Sequence, residues 1–463
     1  MSADGEHRDE RTNSGRVGID RDISDQGGGA NGDDGAPGGS RSGGGARPRA
    51  GAPRPDAAAL TAAAAHVRER YAGRLAELVA VDSGSADVAG VNRVAGLVAG
   101  YARDAGMRLE PVRLDDGRAA LVARRRGAGH RKILLTGHMD TVFPAGTAAA
   151  RPLRVDGDRA YGPGVCAGKG GLLAGLAAVE ALVLLGAERY GEVALVCAPD
   201  EEAGSPLSRM LLRREAHGAA AALGLRCARP DGAVVAARKG GADVEIVLRG
   251  RAAHTGPDAD LPADTGLPAD ADRGGDAALA AARLTVALQE LHRGRPGVRV
   301  HVGVLQAGTA PGMVADSARL VAAVRADRAA DFDAVLADIR RLARGHGVAG
   351  VAAEVVQHAP VPPWEGGPRT AALVDTARRV GLDLGLHVRA GVAAGGSGAN
   401  LVAASGTPVL DGLGPVGGAC RSPGEWLDLA SVVPRTALLA GLIDRIAETG
   451  CTGLRRLGGG SAI

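Results

Sequence analysis

The chain has 463 residues, with 55 basic against 52 acidic, and a net charge near +3. That balance argues against nucleic acid or a membrane surface as a partner, and an aromatic content of 2% disfavours base-stacking platforms. Five cysteines without close CxxC pairs argue against a disulfide framework and a structural zinc site.

The N-terminus is charged and polar, without the apolar segment of a signal peptide, so the expectation is a soluble, cytoplasmic protein. Residues 1–55 are mostly Gly, Asp, Arg, Ser and Pro. They lack the apolar surface to offset their ordering entropy, which predicts a disordered tail. Pro55-Asp56 then caps an Ala-rich helix running towards Val81. A second helix is expected over 91–105 and a hairpin over 109–124. Residues 133–135 read as a short buried strand. The most apolar stretch, 170–187, carries Glu180 and has helical spacing, so it reads as a buried helix, not a membrane span. A strand follows at 191–197. Alternating strand and helix point to an α/β sheet with helices on both faces.

From about Val234 the pattern changes. Strands are expected at 242–249, 299–305 and 318–325, and helices at 278–293 and 330–344. Two helices on one face of a small sheet make a separate α+β unit. Within it, 257–276 has no apolar period and reads as a flexible surface insertion. The α/β pattern resumes near Pro362, with a strand at 407–410, a Gly-rich loop at 412–418 and a helix over 431–446. The simplest architecture is one α/β domain in two parts, 56–235 and 356–450. An α+β unit at 236–355 interrupts it, and a flexible tail follows at 451–463.

Four stretches carry chemistry. In ILLTGHMDTV, residues 133–142, His138 and Asp140 stand two apart and point to one side of an extended chain. This pair is a metal ligand with its orienting acid, a base with its orienting acid, or a satisfied histidine at a strand end. YGPGVCAGKGG, residues 161–171, is glycine-rich but lacks the GxxxxGK[ST] spacing of a phosphate loop. Lys169, near the start of the helix that follows, reads as a structural or charge-balancing group. APDEEAGS, residues 198–205, places Glu201 and Glu202 directly after a strand. Two adjacent carboxylates there are costly unless a cation or proton is shared, the alternative being a solvated acidic turn. GRAAHTG, residues 250–256, puts His254 just after a strand of the inserted unit.

Together with LDGLGPVGG, residues 410–418, these motifs resemble the zinc aminoacylase, succinyl-diaminopimelate desuccinylase and glutamate carboxypeptidase family of two-metal peptidases. The likeness runs over about residues 60–450 and is specific in order and spacing. It implies a metal-binding α/β domain interrupted by a smaller lid that often dimerises, so a homodimer through the lid is an expectation. It also implies cleavage of amide bonds in amino-acid-like or peptide ligands. Two zinc ions would share a bridging Asp and a water, and a Glu would take the water's proton. Carried over, His138 and Glu202 are metal ligands, Asp140 orients His138, and Glu201 is the general base. His254 steadies the oxyanion from the lid, and Arg325 meets the substrate carboxylate.

The resemblance breaks at the metal centre. The bridging Asp is Ala167, an acidic ligand is Arg226, and the last His ligand is Arg421, just before Ser422-Pro423. A lid Asn is replaced by Gly312, and the family's S-D-G-N is Ser397-Gly398-Ala399-Asn400. Arginine stays protonated and does not ligate zinc, so zinc binding is doubtful and an ion-pair network is expected in its place. Cys166, Cys197, Cys227 and Cys420 lie near site positions. They are expected to pack as small core residues, with a cysteine-based metal site as the alternative. Three functional readings stay open: a weak or inactive hydrolase homologue, an active hydrolase with a mononuclear or remodelled zinc site, and a non-enzymatic dimeric scaffold.

Overall fold

Ile133, Leu134 and Leu135 have no exposed surface, because their strand is covered on both faces, as a parallel strand must be. The structure is a computed structural model and describes residues 54–253 and 275–450. His254, nearly all of the expected insertion and nearly all of both expected tails lie outside the described residues.

The central sheet has six strands in the order Arg108–Arg113, Ala119–Arg126, Glu192–Ala198, Lys132–His138, Ala219–Gly224 and Val409–Leu410. The first two junctions are antiparallel and the other three are parallel. Ala219–Gly224 has no predicted counterpart. Its sequence, AAAALG, lacks the β-branched residues that mark a strand, and its place between two buried neighbours decides its conformation. The parallel strands end together: His138 stands beside Ala198, and Thr136 beside Gly224. Residues just past these ends therefore converge on one crevice.

The apolar helix Gly170–Leu184 is buried from Gly170 to Leu182. The stretch Val165–Leu184 is long and apolar enough to cross a membrane, but 89% of its apolar window lies inside the fold. Glu180 within it faces Arg70 and Arg74. A Cβ on Gly171 would stand 1.6 Å from the Leu225 carbonyl oxygen, so only glycine lets this helix lie so close to the strand end. The single helix expected from Asp56 towards Val81 is two, Ala57–Arg68 and Tyr71–Val79. Asp56 does cap the first, accepting from the Ala59 N–H. The turn between them re-aims the chain so that Tyr71, Leu75, Leu78 and Val79 are buried.

The inserted unit is a four-stranded antiparallel sheet in the order Arg299–Ala307, Ser317–Ala326, Gly240–Arg249 and Ala352–Val361. Helices Ala277–Glu290 and Ala329–Arg344 pack with Val244, Ile246, Leu248, Leu320 and Val324 into one apolar cluster. The fourth strand runs across residue 355, where the sequence reading divides the lid from the second α/β part.

A further element corrects the sequence reading. The stretch 412–418, expected as a loop, contains the strand Gly414–Gly418, paired with Trp426–Asp428 and Cys227–Ala228. A Cβ on Gly414 would lie 2.8 Å from the Leu225 carbonyl oxygen. Glycine is there for a close backbone approach, not for a turn.

Candidate functional site

The crevice at the ends of the parallel strands gathers three acids and three cations. His138 closes its strand, with 2% of its surface exposed. Its Nδ1 faces the Asp140 backbone oxygen at 3.0 Å and Asp140 Oδ1 at 3.2 Å. Its Nε2 faces the Ala167 carbonyl oxygen at 2.7 Å. With an acceptor at each nitrogen, the ring is placed to donate twice, as an imidazolium does. Burial alone would lower its pKa. Glu201 first, then Asp140 and Glu202, outweigh burial and raise it to about 9.

Asp140 acts as a backbone cap. Its carboxylate accepts from the N–H groups of Glu201 and Glu202 at 3.0 and 2.9 Å and from the Ser85 hydroxyl at 2.6 Å. It thereby satisfies the first amides of the short helical turn Glu201–Ala203, and both glutamate side chains enter the crevice from that turn.

Arg226 lies just past the end of Ala219–Gly224. Its Nη1 donates to Glu201 Oε1 at 2.5 Å, and its Nη2 lies 3.5 Å from Glu202 Oε1. Arg421 enters from the opposite loop and sets Nη2 2.5 Å from Glu202 Oε2, as an ion pair off the line of a hydrogen bond. Burial by itself would raise the Glu201 carboxyl. Arg226, then His138 and Arg421, outweigh it and hold Glu201 down at about 2. Burial by itself would lower the Arg226 guanidinium; Glu201, then Glu202 and Asp411, outweigh it and hold Arg226 above its ordinary value. Glu201 Oε1 also lies 3.4 Å from the Gly398 N–H, at the start of a helix capped by Ser397.

Ala167 sits in a π-helical turn, Val165–Lys169. The buried Glu425 holds that turn, accepting from the N–H groups of Cys166 and Ala167 at 2.9 and 2.8 Å. Glu425 also accepts from Arg421 N at 3.3 Å. The sequence reading missed Glu425. Its signal was a lone glutamate closing the segment Arg421-Ser422-Pro423-Gly424-Glu425. Lys169 is buried and donates to the Val81 carbonyl at 2.9 Å. Burial brings its pKa down to about 8, against the opposing pull of Glu425 and Asp82. Cys166 and Cys197 pack in the core and Cys227 packs against it, as expected, whereas Cys420 departs from the packing expectation. Cys420 is exposed, and its Sγ lies 3.1 Å from that of buried Cys166, because the 419–425 loop turns back over the π-helical turn.

His138, Asp140, Glu201 and Glu202 thus come together. Arg325 stands farther off, on the rim. It is half exposed, 3.9 Å from Asp243, and donates to the Val324 carbonyl. A cleft of about 330 Å³ joins the two regions, lined by Glu201, Glu202, Arg325, His358, Ser397 and Arg421 among others. Asn400 faces the backbone, donating to the Pro362 and Lys239 carbonyls.

Can these residues hold a metal pair? Ligand atoms of His138, Glu201 and Glu202 lie within 4.8 Å of one another, and among the described residues this is the one such group. Yet His138 Nε2 is turned to a carbonyl, and both glutamates are paired with guanidiniums. Two divalent ions would meet two fixed positive charges with no bridging carboxylate between them. The donor set does not fit a two-metal centre.

Comparison with known proteins gives the lineage. The model of peptidase family M20/M25/M40 matches residues 134–445. Carboxypeptidase G2 of Pseudomonas sp. (strain RS-16) is 29% identical over 378 residues, spanning 80% of this chain and 87% of that protein. Two solved structures share the fold. Aminopeptidase PepT of Bacillus cereus has a TM-score of 0.62 at 20% identity, covering 82% of this chain and 99% of its own. The YXEP protein of Bacillus subtilis, a dinuclear metal binding peptidase, has a TM-score of 0.60 at 18% identity, covering 83% and 99%. Motif order, strand-end crevice and family model agree, and this chain belongs to peptidase family M20/M25/M40.

Proposed function

We propose that this chain is a weak or inactive homologue of the family's amidohydrolases, in which an ion-pair network stands in place of the binuclear metal centre. The observation that carries the reading is the 2.7 Å approach of His138 Nε2 to the Ala167 carbonyl. That nitrogen is the one a metal would need, and the residue facing it stands where the bridging aspartate is expected. Arg226 and Arg421 supply the charge that the metals would otherwise bring to Glu201 and Glu202. A water in such a site has no Lewis acid to lower its pKa. Glu201, held as a carboxylate by Arg226, is a poor proton acceptor at neutral pH.

The cleft itself persists. Arg325 and Arg421 both line it, so it suits a small amino-acid-like or peptide ligand with a carboxylate. Binding without turnover is the activity this reading assigns to it.

A second reading rests on the convergence of the His138, Glu201 and Glu202 ligand atoms. If half-exposed Arg421 swings away, these three residues match the three protein ligands of a catalytic zinc. Metal content separates the readings. The whole protein is dialysed against zinc, then against buffer, and measured by inductively coupled plasma mass spectrometry. Absence of zinc supports the ion-pair site. About one ion per chain would favour the mononuclear hydrolase, and about two would overturn the proposal.

A further inference from the structure

Beside the arginine-filled crevice lies a cluster of thiols that the proposed function does not use. Cys166 is the second residue of the π-helical turn, one residue before Ala167, and is 1% exposed. Cys420 lies one residue before Arg421, in an exposed loop. Their sulfurs are 3.1 Å apart across a sequence separation of 254 residues. Cys227 is the other thiol neighbour of Cys166. The backbone around the pair is already tied, because Glu425 accepts from the N–H groups of both Cys166 and Arg421.

We infer that Cys166 and Cys420 are a modification site: a reversible disulfide that locks the Arg421 loop onto the Ala167 turn. A disulfide needs its sulfurs about 2.0 Å apart, so closure asks for a movement of about one ångström at residues 419–421, which are exposed among the described residues. The oxidant is a small-molecule disulfide. The exposed Cys420 thiol gives up its proton and attacks it, forming a mixed disulfide and releasing one small thiolate, which takes up a proton. Cys166 then gives up its proton and attacks the Cys420 sulfur, releasing the second. Two protein thiols and one small disulfide become one protein disulfide and two small thiols. The cross-link holds Arg421 beside Glu202 and so fixes the crevice in its filled form. A thiol reductant frees the loop.

The whole protein is incubated with oxidised glutathione, alkylated, digested without reductant and mapped by mass spectrometry. The expected product joins the Cys166 and Cys420 peptides, lighter by two hydrogens than their sum and separated again by dithiothreitol. Cys227→Ser keeps this product, and Cys420→Ser, an exposed substitution, loses it. Hydrogen exchange over 419–425 slows on oxidation. Separate alkylation of both cysteines, a lasting glutathione adduct on Cys420, or a Cys166–Cys227 product would each overturn the inference.

Discussion

Arg421 Nη2 lies 2.5 Å from Glu202 Oε2, and Arg421 makes this reach from a left-handed backbone with φ 66°. A non-glycine residue held there carries strain, and its side chain is 45% exposed. Arg226, by contrast, is 16% exposed and serves both glutamates. The two arginines should therefore differ in what their removal costs. Arg421→Gly relieves the backbone and leaves Glu202 with Arg226, so stability should change by less than about 1 kcal/mol. Arg226→Ala takes the hydrogen-bonded guanidinium from the buried Glu201 carboxylate, while Glu202 keeps Arg421, and should cost roughly 3–5 kcal/mol. Urea unfolding midpoints of the two variants, compared at equal m-value, check the ranking. Equal losses would mean that Arg421 carries as much of the network as Arg226.

The motifs that pointed to the fold were legible because they are local. Gly137-His138-Met139-Asp140 and Asp200-Glu201-Glu202 each follow an apolar strand, and strand ends in such sheets converge. Ala167, Arg226 and Arg421 were legible as departures from an expected ligand set. The ion pairs of Arg226 and Arg421 with the glutamates follow from charge alone; what the sequence did not carry was what surrounds Ala167. That the Ala167 carbonyl would face His138 depends on the π-helical turn 29 residues away, and that Glu425 would hold this turn depends on a contact across 258 residues. Strands made of Ala and Gly, such as Ala219–Gly224 and Gly414–Gly418, have no period to read. Their identity comes from the neighbours they pair with.

Gly168 illustrates how tightly the His138 ring is seated. A Cβ there would lie 2.7 Å from the His138 backbone oxygen and 2.8 Å from its Cε1. Neither atom has room to yield, so Gly168→Ala should destabilise the fold by about 1–3 kcal/mol. Gly96, inside helix Val88–Asp104, has nothing within 4 Å of the position a Cβ would take. Gly96→Ala should stabilise by roughly 0.5–1 kcal/mol. Thermal unfolding of the pair tests whether the ring is wedged. A neutral Gly168→Ala would show that the π-helical turn can shift.

The acid limit of the fold should be set in part by Glu215. Its side chain is 3% exposed and is bound by both terminal nitrogens of Arg124, at 2.9 Å each, and by Lys132 at 3.1 Å. Burial alone would raise its pKa, but Arg124 and Lys132 bring it down from 4.5 to about 2. A carboxyl whose folded pKa lies below its unfolded value contributes fully above the unfolded value and loses that contribution as pH falls through the folded one. Glu215→Gln should thus be less stable than the parent at neutral pH, by roughly 1.5–3 kcal/mol. The gap should narrow between pH 4.5 and about 2. Melting curves of both proteins across that range give the answer. A gap that is constant with pH would assign the loss to packing instead of charge.

Restoring the expected ligands is the most direct reversal. Ala167→Asp supplies a bridging carboxylate, Arg226→Glu an acidic ligand, and Arg421→His an imidazole at a left-handed position that His tolerates better than most residues. Each change alone leaves a mismatch. Ala167→Asp by itself adds a carboxylate beside two arginines and should pair with them. Arg226→Glu by itself adds a fourth acid to Asp140, Glu201 and Glu202 and should destabilise the fold. Combined, the three changes remove two positive charges and add two negative ones. That leaves a strongly acidic crevice that only cations can satisfy. The triple variant should therefore retain roughly two zinc ions per chain after dialysis, where the proposed ion-pair site predicts none for the parent. It should melt at a higher temperature with zinc than with a chelator, since metal that binds only the folded state stabilises it. Zinc retention with no thermal shift would place the metal outside the crevice. A folded triple variant that takes up no zinc would show that the Ala167 turn, fixed by Glu425, cannot open to let His138 Nε2 face a metal.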